Sequence, residues 1–403
     1  ELSHVTGEQK KRYFSIWPLV IVVFALVLMT LLYNQNETDA VNSDTEIDFS
    51  TIASQHFLSF NRNDNAQAIK YYQKAILKNP TFAASYAGLA DALIHDYWFY
   101  GKGESVLAIA KDNAIKAIEL NADMAWGHKV LGQVNYLRGH YELAETSLIK
   151  ASELEPDWGE VHAHLALVYF ETQELGLARQ YARLATKKDP GNSFVTTILA
   201  MSRFESQRLE AAEEVFEQAS QATQKLAWIK AMRANYLLHV GRAEDAKLIL
   251  EDILNKEANF QLAHWLLGLA YLELEQEIEA KAQFEAAANQ NGRYQLAAKV
   301  YFNLLVKKAD SELLSQIEGL QATGNKWREL HFLKGLVLMA NDSLQEGAIS
   351  IQKAINFGFK DEYRLTQLPA LGITLSDHSV NDLREELKIV NSRKRPKRIP
   401  PRN

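Results

Sequence analysis

The chain has 403 residues, 47% of them hydrophobic and 23% charged, enough to bury a sizeable core. A formal charge of −6 speaks against wholesale nucleic-acid binding, and the absence of cysteine excludes disulfides, thiolate metal sites and a cysteine nucleophile. Only eight prolines and nineteen glycines occur, which leaves little room for long linkers.

A short basic stub, residues 1–15, leads into residues 16–33, IWPLVIVVFALVLMTLLY. No charge falls between Arg12 and Glu37. A helix of this length spans about 27 Å, close to the hydrocarbon thickness of a bilayer. Trp17 and Tyr33 stand at its ends, where amphipathic rings favour the interface. Lys10, Lys11 and Arg12 precede it, whereas Glu37, Asp39, Asp44, Glu46 and Asp48 follow in an acidic linker, 34–48. The positive-inside rule then predicts one transmembrane helix with a cytoplasmic N-terminus and the remainder outside. A cleaved signal peptide is the alternative, with a poor cleavage site around Ala40.

Beyond the linker a period of thirty-four sets in. Residues 125–158 and 159–192 align without gaps. Leu131 and Leu165 fall at position 7, Gly132 and Ala166 at 8, Ala144 and Ala178 at 20, Ala151 and Ala185 at 27, and Pro156 and Pro190 at 32. The frame runs on from 193, 227 and 261, and backwards to 49 and 83, with weaker units near 295 and 328. Small residues at 8, 20 and 27 let two helices approach, large ones at 7, 11 and 24 fill between them, and the proline ends the second helix. Over residues 49–361 this spacing resembles the tetratricopeptide repeat. The resemblance implies an all-α fold: about nine helix hairpins stacked into a right-handed α-solenoid with a concave inner face, preceded by the membrane helix. Residues 362–391 read as capping helices, and 392–403 as a basic disordered tail.

One unit departs from the period. After Leu93 the unit at 83 runs eight residues late, so that Ala110 takes the place expected of position 20. Eight residues are close to two helical turns, which predicts one extra turn on each helix of this hairpin. Tyr97 and Tyr100 continue its packing stripe. Trp98 continues the concave stripe, and Phe99 has no obvious partner. Two readings stay open for this pair: an exposed contact site for a ligand, a partner or a second subunit, or a pair covered by the loop that follows.

The resemblance further implies that the first helix of each unit lines the groove through positions 2, 5, 9 and 12. Together with Trp98, the candidates for partner binding are Trp126, Lys129, Gln133, Tyr136, Phe170, Met201, Phe204, Asn235 and Trp265. The mixture is more apolar and aromatic than charged. It suits a protein or peptide ligand, such as a helix in a groove, and suits nucleic acid poorly. No cofactor, metal or catalytic constellation is expected. The HxH pair His162 and His164 cannot chelate together on a helix, and His128, His162, His264 and His331 all hold position 4, which points to packing. No GxSxG, HExxH or P-loop occurs.

The order of segments, with the runs AQAIKYYQKAILKNPTFAASYAGLADALI and AIKAIELNADMAWGHKVLGQV, also resembles the C-terminal half of membrane-spanning winged-helix transcriptional regulators of the CadC/ToxR type. That resemblance implies a single-pass bacterial inner-membrane protein with a periplasmic sensory array, and DNA contact only through a domain upstream of Glu1. A free-standing membrane-tethered scaffold for envelope proteins is the alternative.

Overall fold

The computed structural model describes residues 49–55, 62–100, 102–205, 208–222, 227–307, 311–359, 361–373 and 382–383. All regular structure among the described residues is helical. Helices begin at Ala83, Ala125, Gly159, Ser193, Ala227, Gln261, Gln295 and Glu329, and each is followed by an antiparallel partner. In the unit at 125 the pair is Ala125–Leu137 and Tyr141–Leu154. From Arg62 to Leu305 each helix packs on the next in the chain, and the first helices of successive units from 83 to 261 also touch. This is the stacking expected of a solenoid.

Close approach within a hairpin depends on position 8. A Cβ added to Gly132 would lie 2.6 Å from Leu148 Cγ, one on Gly268 2.5 Å from Phe284 Cε1, and one on Gly335 2.5 Å from Ile351 Cγ1. In each case the intruded side chain sits at position 24 of the same unit, so the small and large positions form one contact. The turn between paired helices recurs as well. Gly139, Gln173, Gly241, Glu275 and Asp342 all hold left-handed backbone, with φ between 58° and 75°. The position-4 histidines are explained by the same economy. His128, His162 and His264 place Nε2 2.8–2.9 Å from the carbonyls of Ala122, Pro156 and Ala258, six residues back. Each imidazole thereby ties a helix to the turn that precedes it.

The long hairpin at 83 consists of Ala83–Trp98 and Ser105–Leu120, sixteen residues each, against thirteen and fourteen in the unit at 125. Its additional length does not project outward. It reaches the concave side and sets Trp98 and Phe99 against residues far along the chain.

The array closes on itself. The Lys326 amide donates to the Gly139 carbonyl (3.3 Å), the Lys326 ammonium pairs with Glu142, and His140 lies 3.3 Å from the Thr323 carbonyl. Gly358 presses on the Gln173 side chain. At the other rim, Arg62 donates to the Asn259 carbonyl (3.3 Å). The concave face of the later units is occupied by the chain itself. The helix Glu362–Thr366 and its flanks reach back over the inner helices, with Asp361 on His239 (2.7 Å), Arg364 on Tyr301 and Glu329, and Gln367 on Leu269 and Glu273.

The localisation expected from residues 16–33 is corrected. Among the described residues no helix is long and apolar enough to cross a membrane. A span needs about twenty apolar residues, whereas the longest described helix, Arg62–Lys78, has 17 and is studded with charge. Nothing among the described residues therefore supports the single-pass inner-membrane topology or the periplasmic placement that hung on it. Residues 16–33, the linker 34–48 and the tail 392–403 lie outside the described residues.

Candidate functional site

The inner helices converge on a central cavity of about 210 Å³. Aromatic side chains from five hairpins meet at its edge. Trp98 stacks on Phe99 (centroids 5.6 Å) and lies 6.0 Å from Tyr136, 6.4 Å from His164 and 6.1 Å, edge on, from Trp228. Phe194 completes the group 5.4 Å from Trp228. Such pairs contribute about 0.5–1.5 kcal/mol each beyond area burial, so this cluster is a cross-brace between the unit at 83 and the unit at 227. The extended first helix lets Trp98 reach it. Trp98 and Phe99 are both half-buried, with the Trp228 ring against each of them, and Trp98 keeps a place in the cavity lining.

Of the ten candidate groove residues, six line the cavity: Trp98, Tyr136, Met201, Phe204, Asn235 and Trp265. Tyr136 and Trp265 are themselves buried, and Phe170 is buried away from the cavity. Trp126, Lys129 and Gln133 belong to a buried polar ladder instead. The Trp126 indole donates to Asp91 Oδ2 (2.7 Å), and Lys129 Nζ donates to the same oxygen and to Glu160 Oε1 (both 2.9 Å). Gln133 Nε2 stands 2.8 Å from His164 Nε2. Burial works against the Lys129 charge, but Asp91 and Glu160 outweigh it and hold the ammonium protonated; burial likewise opposes the Glu160 charge, and Lys129 with His164 holds its carboxyl well below the usual range. A lysine so enclosed cannot reach a ligand, so Lys129 and Gln133 are corrected from groove residues to struts between the units at 83, 125 and 159.

The remaining wall comes from residues outside the positional frame. Glu171 faces two arginines, Arg293 Nη2 at 3.9 Å and Arg328 Nε at 3.8 Å. The Arg293 guanidinium also lies over Tyr136 (5.6 Å) and Trp327 (5.2 Å). His239 Nε2 meets Asp361 Oδ1 at 2.7 Å while its Nδ1 contacts the Asn235 carbonyl at 2.8 Å. Burial pushes the His239 imidazole down, but Asp361 and that carbonyl overcome it, and the net direction is up. Arg364, 2% exposed, sits in an aromatic cage: its guanidinium carbon is 4.5 Å from the Phe332 ring centre and 5.2–5.3 Å from Tyr301, Trp265 and Phe359. Position counting over 2, 5, 9 and 12 could not find these residues: Glu171 and His239 end their helices at position 13, and the others belong to loops or to the stretch after the repeat fades. The one local signal is the aromatic spacing around Arg364 in FGFKDEYR.

Among the described residues no group of three metal-ligating side chains occurs. The arrangement offers apolar contact, ring stacking and paired charges, which are means of recognition.

The tetratricopeptide repeat family matches residues 130–193. No curated protein matches the chain. Similar solved structures include TTC0263, a thermophilic tetratricopeptide repeat protein of Thermus thermophilus, at 18% identity, TM-score 0.41, covering 48% of this chain and 99% of that one. The pilF protein of Pseudomonas aeruginosa is similar at 17% identity and TM-score 0.40, covering 59% of this chain and 99% of its own. The human IFIT1 dimer with m7Gppp-AAAA is similar at 16% identity and TM-score 0.48, with 85% and 88% covered. The sequence match is to the repeat alone. It lends no support to the CadC/ToxR-type relationship, to membrane association or to self-association.

Proposed function

We propose that the protein is a binding module for other proteins that takes one or two side chains of a short peptide segment into its central cavity. The observation that carries this reading is the aromatic and thioether lining around Trp98, Met201, Phe204, Trp228 and Met232 on the inner face of the repeats. Rings offer large apolar contact with a polar handle, and methionines adapt to differing shapes. Size narrows the ligand. The cavity's 210 Å³ falls below the roughly 300 Å³ at which small-molecule sites begin, and matches about seven waters. The strap around Asp361 and Arg364 already lies where a helix would run in an open groove, so an anchor residue fits and a whole helix does not. Nothing among the described residues favours a regulator's sensory half over a free-standing scaffold, and the cavity serves either.

The test is selection of binders from a displayed peptide library by the full chain, followed by titration of Met232→Trp, which fills the cavity with an indole. Binders that share one bulky residue, and at least tenfold weaker binding by a folded Met232→Trp variant, support the reading. Unchanged affinity in that variant sinks it.

A further inference from the structure

Away from the cavity, a furrow of about 310 Å³ runs between the helix Leu175–Lys188 and the helix Ser193–Glu205. Among the described residues its lining is five cations, two hydroxyls and a leucine: Arg179, Arg183, Lys187, Arg203 and Arg208, with Thr186, Ser202 and Leu199. Among the described residues it contains no carboxylate and no aromatic ring. On a chain of net charge −6 that concentration is out of character. Several other cations of the chain are paired, Lys188 with Asp157, Lys230 with Asp252, and Arg242 with Glu213 and Asp245.

Placement adds to composition. Arg179, Arg183 and Lys187 are four residues apart, so they share one helix face. Like charges at this spacing weaken a helix. Arg179 Nε donates to the Leu175 carbonyl (3.3 Å) and Arg203 Nη1 to the Ala211 carbonyl (3.0 Å). These bonds hold the two guanidiniums in place without cancelling their charge. Burial, then the neighbouring Arg183 and Arg208, push the Arg179 guanidinium down, the direction that an incoming anion would reverse.

We propose that this furrow docks an acidic peptide segment of a protein partner, in extended conformation, with carboxylates at alternate residues. The spacings agree. Cations four apart on a helix recur every ~6 Å, and same-side residues of an extended strand recur every ~6.8 Å. Arginine forks match carboxylates in two-pronged geometry. A single-stranded nucleic acid fits less well, because such sites stack bases on rings that this lining lacks.

The experiment measures fluorescence anisotropy of a labelled decapeptide alternating Glu and Ser against the full chain. A Lys–Ser peptide, oligouridylate and inorganic phosphate are run in parallel. The expected result is binding of the acidic peptide alone, weakened at least tenfold by Arg183→Glu with Lys187→Glu and by raising salt from about 50 to about 500 mM. Both substituted residues are exposed, so the variant folds, which circular dichroism checks. Binding of the acidic peptide unaffected by the substitutions, or no binding, overturns the proposal. Tighter binding of oligouridylate overturns the partner class. Because both residues lie outside the cavity, failure here leaves the Met232→Trp result to stand or fall alone.

Discussion

Truncating Arg364 tests how the end of the array is held. The guanidinium meets Glu329 through two contacts, 2.9 Å from Nη1 to Oε2 and 2.7 Å from Nη2 to Oε1, and its Nε donates to Tyr301 Oη at 2.8 Å. It is 2% exposed and enclosed by four rings. Burial disfavours the charge, and Glu329 with Tyr301 more than compensates, so the side chain stays a cation. Arg364→Ala leaves Glu329, 9% exposed, as a buried charge without its partner, which costs about 3–5 kcal/mol. The cation–π contacts vanish in the same step and are not a separate sum. In a repeat array the loss is local at first, so it falls on the units at 295 and 328. Urea denaturation followed by circular dichroism should show an earlier first transition, and hydrogen exchange should show lost protection in Glu329–Ala340. The double variant Arg364→Met with Glu329→Met, which swaps the pair for apolar bulk, should recover most of the loss. A single variant within about 0.5 kcal/mol of the parent, or a double variant no better than the single, refutes the argument.

Gly268→Ala should cost about 1–3 kcal/mol, since its Cβ meets the Phe284 ring at 2.5 Å; adding Phe284→Leu should return part of it, measured by urea midpoint. Glu275→Gly should gain about 0.5–1 kcal/mol, because this exposed residue holds φ 58°, a conformation strained for any side chain, offset partly by glycine's entropy. For His239 and Asp361 the signs run in opposite senses. The raised imidazole stabilises below its unfolded value near 6.5 and loses that contribution as pH rises through its folded value. The depressed carboxyl stabilises above about 3.9 and loses its contribution as pH falls. The pair therefore serves best between about pH 4 and 6.5, and NMR titration should place His239 above 6.5 and show it drop in Asp361→Asn.

What could be read from the sequence is what is local. Gly132 with Leu148 and Gly268 with Phe284 meet inside one hairpin, so a period of thirty-four carries them and the helical repeat with them. The eight-residue surplus at 83 likewise gave the longer hairpin. Where that hairpin points could not be read. The Trp98–Trp228 contact depends on small rotations accumulated over several units, and no short motif encodes their sum. For the same reason Lys129 and Gln133 were placed on the right helix and given the wrong neighbours. The strap and the loop around Lys326 follow or interrupt the pattern, so a periodic reading passes over them. The Arg179, Arg183, Lys187 ladder is legible as spacing alone, yet its meaning depends on the furrow having no carboxylate among the described residues.

The contacts that join Gly139 and His140 to the loop around Lys326 have a mechanical consequence. A free stack of hairpins stretches under tension like a spring, each joint yielding a little. Here a load pulling those two loops apart meets a clasp first, so extension should begin with an abrupt release rather than a smooth give. Any partner that pries the loops apart would convert a stiff ring into a compliant coil.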